Sequence, residues 1–187
     1  GLRTLLIHDA LFTFGFCFFA WQRALAPEIF GAEKYMDFAF FNTLTRTDVM
    51  PPQDMWMSGE TFNYYYFGYL IFANLARLTP IPNHIAYNLC VATAGGVAFA
   101  EFAAIGWMLT RRAGFGFLTG AVGMLIGNLD GVLQFVQKRG LTQFDYWRST
   151  RIVANGDTIN EFPYFTVIHG DLHPHFIVLS VGLLLLA

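Results

Sequence analysis

The chain's 187 residues suffice for a single domain, and 55% of them are hydrophobic while only 13% are charged. Soluble domains carry about a quarter charged residues, so the composition disfavours a soluble fold and points to a bilayer. The net charge of −2 leaves no basic footprint for nucleic acid.

A membrane-crossing helix needs about 20 mostly apolar residues. The first such stretch, residues 5–21, contains His8 and Asp9 and lacks the small-residue cleavage site of a signal peptide. The chain starts at Gly1 and stops inside an apolar run, and so reads as a fragment of a longer protein. Cys17 and Cys90 both lie in apolar stretches and read as buried or lipid-facing thiols.

Residues 23–83 follow as a long polar and aromatic loop. Glu33 and Asp37 stand four residues apart, so a helix over residues 32–44 puts both carboxylates on one face. One carboxylate suits a general base and two suit a cation. The plainer alternative is a solvated helix start, where acids are favoured. Trp56 and the run Asn63-Tyr64-Tyr65-Tyr66 come next. Successive helical residues turn by about 100°, so at least one of these hydroxyls faces headgroups or a substrate. The apolar piece over residues 64–78 is short for a span. It reads as an interfacial helix, with a short tilted span as the alternative.

Residues 85–109 form the best span, interrupted by Asn88 and Glu101. Residues 113–136 form a third, Gly-rich and with Asn128 and Asp130 near its end, and a fourth starts at Phe176. His8, Asp9, Glu101 and Asp130 are lone polar groups, expected to pair within the bundle or near helix ends. The short Arg111-Arg112 link favours the cytoplasm. Residues 23–83 and 137–175 then both lie on the outer face, although Lys138, Arg139, Arg148 and Arg151 count against that orientation. The expected fold is all-α: a polytopic transmembrane helix bundle in the cell membrane. Residues 1–187 form one membrane-embedded domain with interfacial helices in long extracytoplasmic loops.

The second loop offers Arg148, Arg151, Glu161 and Gly170-Asp171-Leu172-His173-Pro174-His175. Asp171, His173 and His175 alternate, so an extended segment aligns them. Their oxygen and nitrogen donors suit a divalent ion such as magnesium, manganese or zinc, whereas the arginines suit a phosphate. No HExxH or CxxC motif narrows the metal. Histidines that anchor a helix at the interface are the simpler alternative.

Together, Glu33-Lys34-x-Met36-Asp37-Phe38-Ala39-Phe40, Pro51-Pro52-x-Asp54-x-Trp56, Asn63-Tyr64-Tyr65-Tyr66-Phe67-Gly68, Trp147-Arg148-x-x-Arg151, Glu161-Phe162-Pro163 and the Gly170-to-His175 run resemble the YYY family of archaeal and Chloroflexi membrane proteins. That family is similar to the GT-C superfamily of membrane glycosyltransferases, which use lipid-linked sugar donors. The resemblance implies that Asp37 is the catalytic acid after the first span, with Glu33 its rival. It places Asp171 and His173 where the superfamily keeps its second acidic motif, here replaced by an Asp–His turn.

The expected function is transfer of a sugar from a polyprenyl-phosphate donor at the extracytoplasmic face. Arg148, Arg151 and His173 would then meet the phosphate, while Tyr64, Tyr65, Trp56, Asn63 and Glu161 frame the substrate. A transporter or channel, a metal-dependent lipid-phosphate hydrolase using Asp171, His173 and His175, and a purely structural subunit are the competing readings.

Overall fold

Long apolar runs without strand-type alternation favour helices, because each helix satisfies its own backbone inside a bilayer. The computed structural model describes residues 1–137, 143–153 and 158–186. Among these residues the chain is all-helical, and the only β pairing is an isolated bridge between Gln53 and Thr61. In chain order the α-helices are α1 (Leu2–Leu25), α2 (Lys34–Arg46), α3 (Tyr66–Arg77), α4 (Asn83–Thr110), α5 (Ala113–Leu125), α6 (Asp130–Val136), α7 (Pro163–His169) and α8 (Pro174–Leu186). Lys138, Arg139 and Ala187 lie outside the described residues.

Both α1 and α4 are long and apolar enough to cross a membrane. Most of α4 is buried and touches α1, α5, α7 and α8, whereas α1 turns Leu5, Leu6, Phe14 and Trp21 outward. Lipid tails are as apolar as leucine, so helices there associate through close backbone packing at small residues. The buried face of α4 is accordingly rich in Ala and Gly, including Ala92, Gly95, Gly96 and Ala103. A Cβ added at Gly96 would stand 2.8 Å from the Phe16 backbone nitrogen of α1. Glycine is what lets these two spans touch.

The expected continuous third span is corrected to a bent pair. Helix α5 stops at Leu125, α6 starts at Asp130, and their axes differ by 76°. Gly127 and Asn128 favour turns over helix interiors. Asn128 Oδ1 accepts the Asp130 N–H in place of a helical carbonyl, and Leu129 takes a left-handed φ of 59°.

In α2 the residues Lys34, Asp37, Phe40, Phe41 and Leu44 are buried, the three-to-four spacing of one helical face. That face meets Tyr69, Phe72, Ala73 and Ala76 of α3. The twelve residues of α3 rise about 18 Å, short of the roughly 30 Å hydrocarbon layer, so the tilted-span alternative falls. Helix α3 also packs against α8, where Gly68 lies on Ile177. Pro163 opens α7 at its first turn, where proline costs no hydrogen bond. Gly170 closes it at a φ of 78°, as left-handed C-caps favour glycine.

Candidate functional site

Two loops that are distant in sequence meet where α2, α7 and α8 converge. Glu33, the residue before α2, places Oε2 2.6 Å from His173 Nε2, just ahead of α8. The next residue, Lys34, is buried and donates from Nζ to the His169 carbonyl at 2.9 Å. Arg23, near the end of α1, donates to Ile168 O at 3.4 Å and twice to Asn88 Oδ1. Two cations thus close the carbonyl end of α7, where the helix dipole is negative.

From Glu33 the contacts continue as a chain. His173 Nδ1 is 2.6 Å from His175 Nδ1, and His175 Nε2 is 3.3 Å from Glu161 Oε2. Glu161 also accepts the Thr166 hydroxyl at 2.9 Å. The hydrogen bond from His175, with that of Thr166, holds the Glu161 carboxyl below the ordinary range despite burial.

Beneath this chain lies Asp37, fully buried one turn into α2. Its Oδ1 accepts the Tyr69 hydroxyl at 2.5 Å, while Oδ2 is buried without a hydrogen-bond partner among the described residues. Burial pushes its pKa up to about 7, with Glu33 and Glu161 adding repulsion and the Tyr69 bond opposing. A carboxylate tuned near neutrality is the type of group that general-base chemistry needs.

Asp171 turns away from the two histidines that follow it. Its Oδ2 faces His169 Nε2 at 3.5 Å without hydrogen-bond geometry, and Oδ1 is buried without a hydrogen-bond partner among the described residues. Burial first, then the charge of Asp37, raises its pKa to about 8. His169 also touches the Tyr146 hydroxyl through Nδ1 at 3.1 Å and stacks on Phe165. Burial lowers its pKa. The Leu172 N–H donates to the Tyr87 hydroxyl of α4 at 3.1 Å, which ties the turn to the central span.

The arginines stand apart. Arg148 makes a close ion pair with Asp130 at 2.6 Å, and among the described residues the Arg151 guanidinium donates to the Thr158 carbonyl at 3.4 Å. Of the aromatic candidates, Tyr64 stacks on Phe40 at 4.9 Å and Trp56 meets the same ring edge-on at 5.7 Å. Asp54 holds Trp56 in place by accepting its backbone N–H at 2.7 Å. Asn63 and Tyr65 are exposed. Tyr65, Gly68 and Ile71 form one wall of an open groove of about 430 Å³, and His175, Ile177, Val178 and Val181 of α8 form the other. The groove is apolar except at its head, where His175 connects it to the Glu–His chain.

Tyr69 and Tyr87 escaped the sequence reading, and Lys34 and His169 entered it only as members of longer runs, without a role of their own. Tyr69 had a signal, since it shares a three-to-four spacing with Phe72, Ala73 and Ala76, and an inward tyrosine needs a partner for its hydroxyl. The role of Lys34 depends on a carbonyl far along the chain, which local spacing does not reveal.

Residues 1–187 match a family described as uncharacterized membrane protein, DUF2298. The chain belongs to this family. No curated protein and no solved structure matches it. The DUF2298 chain is therefore a membrane protein, and its apolar helices lie in a lipid bilayer. Among its described residues no group of three or more His, Cys, Asp or Glu is arranged to hold a metal ion. Asp171, His173 and His175 are not gathered around one point. What the site does bring together is a tuned buried carboxyl, a Glu–His–His–Glu chain and an apolar groove.

Proposed function

We propose that this membrane protein transfers a sugar from a polyprenyl-phosphate donor to a hydroxyl acceptor at the extracytoplasmic face. The supporting observation is the Glu33–His173–His175–Glu161 chain at the head of the α3–α8 groove. A lipid-linked substrate has this same division, an apolar tail joined to a polar head.

In this reading the prenyl tail lies along Ile71, Ile177 and Val181, and the phosphate-sugar head meets His175 and His173. The acceptor oxygen attacks the anomeric carbon, a carbon–oxygen bond forms, and the bond from that carbon to the phosphate oxygen breaks. Polyprenyl phosphate leaves with the electron pair, and positive charge held at His173 and His175 offsets its growing charge. The acceptor's proton passes to Asp37, whose raised pKa suits the task. Glu33 is the rival base, since it is exposed and already bonded to His173. Tyr65 lines the groove, Tyr64, Asn63 and Trp56 are the proposed contacts of the sugar, and Glu161 orients His175.

The test is sugar transfer from a radiolabelled polyprenyl-phosphate sugar in membranes that hold the full-length protein, with Asp37→Asn and Glu33→Gln made in parallel. A large loss in Asp37→Asn and a smaller one in Glu33→Gln is expected. Unchanged transfer in Asp37→Asn rejects the assigned base. Release of free phosphate in place of glycoside identifies a hydrolase, and ion flux without either identifies a transporter.

A further inference from the structure

Two imidazoles meet nitrogen to nitrogen at the groove's head, with His173 Nδ1 and His175 Nδ1 2.6 Å apart and the ring planes inclined by 50°. The outer nitrogen of each ring faces a carboxylate from another part of the chain, Glu33 for His173 and Glu161 for His175. A neutral imidazole has one N–H and one lone pair. If each ring gives its N–H to its carboxylate, both Nδ1 lone pairs aim at a common point. Two lone pairs so placed repel unless a positive centre lies between them.

Proteins orient metal-binding histidines in this way, with the far ring N–H donated to a carboxylate and the near lone pair directed at the ion. We propose that His173 and His175 bind one divalent transition-metal ion through Nδ1, with Glu33 and Glu161 as the carboxylates that fix the rings. Imidazole donors suit zinc, copper, iron and nickel better than magnesium or calcium, and zinc is the ion to which the proposal commits. Zinc–nitrogen bonds of about 2.0–2.1 Å set two tetrahedral ligands about 3.3 Å apart, so binding spreads the rings slightly from their present contact.

The site has two protein donors, and Asp171, which faces His169, is not one of them. A tetrahedral ion keeps two positions open for water or substrate oxygen. His175 lines the head of the groove, where a lipid-borne phosphate would complete the coordination. That last link rests on the proposed transferase reading. Ion binding itself rests on the geometry alone.

The experiment uses the full-length protein in detergent, stripped with a chelator and titrated with zinc chloride while circular dichroism monitors the fold. One zinc per chain is expected, lost in His173→Ala and in His175→Ala. Glu33→Gln and Glu161→Gln should each weaken it by about 10–100-fold. Zinc-edge X-ray absorption on the unaltered protein should show imidazole nitrogens at about 2.0 Å, which covers the case of variants that fail to fold. Absence of a stoichiometric ion, or equal binding by the His173→Ala/His175→Ala double variant, overturns the site. Stoichiometric zinc without sugar transfer keeps the site and rejects the transferase, whereas full transfer by the stripped protein keeps the transferase and rejects the link between the ion and the phosphate.

Discussion

Glu33 Oε2 and His173 Nε2 stand 2.6 Å apart and join the loop before α2 to the turn before α8. The pair is partly exposed, which limits its direct contribution to about 1 kcal/mol or less. Its larger effect is positional, because it registers α2 against the Asp–His turn. Lys34, one residue along, repeats the link through the His169 carbonyl.

Asp37 controls the first prediction. Transfer should rise with pH along a limb centred near 7, as the buried carboxyl ionises. In Asp37→Asn that limb disappears and the rate drops by about 10²–10⁴-fold. A pH–rate profile on membrane vesicles checks both.

The same carboxyl shapes stability in the opposite sense. The unfolded chain releases the Asp37 proton near 3.8, whereas the folded chain keeps it until about 7. The folded state therefore binds more protons between those values, and stability falls as pH rises from about 4 to about 7. Asp171 extends the decline toward pH 8. Thermal melting in detergent across this range should show the slope, and Asp37→Asn should flatten part of it.

Tyr69→Phe removes the hydrogen bond that stabilises ionised Asp37. The activity limb should move up by about one pH unit. A shift to lower pH would contradict the assigned geometry.

Lys34→Met leaves the His169 carbonyl without its buried donor, at a cost of about 1–3 kcal/mol. The Lys34 charge also holds the Asp171 pKa down, so its loss raises that pKa further. Melting temperature reads the first effect, and a carboxyl titration followed by infrared spectroscopy reads the second.

Gly170→Ala should destabilise by about 2 kcal/mol. The residue has a φ of 78°, and the Arg23 guanidinium occupies the space that a Cβ needs. Gly182→Ala is the control, since nothing lies within 4 Å of a Cβ there, and it should leave the melting temperature nearly unchanged.

Composition and apolar length made α1 and α4 legible, because a bilayer imposes one simple requirement on both. Hydropathy missed the bend after α5, since residues 126–129 remain mostly apolar and only the Gly127-Asn128 pair marks the turn. Spacing placed Glu33 and Asp37 on one face, yet Glu33 reaches His173 of the second loop whereas Asp37 is buried against Tyr69 of α3. Spacing misjudged Asp171, because alternation orders side chains only on an extended strand, and the irregular link 171–173 gives way to helix α8 at Pro174 before His175. The partners of Asp37 and His169 were invisible for a different reason. Tyr69 and Tyr146 arrive from other segments, and no local rule pairs them.

The bend between α5 and α6 has a mechanical consequence. Asn128 donates to the Ser149 carbonyl, the Gln134 side-chain amide donates to the Asp145 carbonyl and accepts the Asp145 N–H, and Asp130 holds Arg148. These ties fasten the short helix beyond the elbow to the strip of chain at 145–149. The same strip carries Tyr146, which touches His169. The position of this helix and the surroundings of His169 are therefore tied together through one short segment of chain.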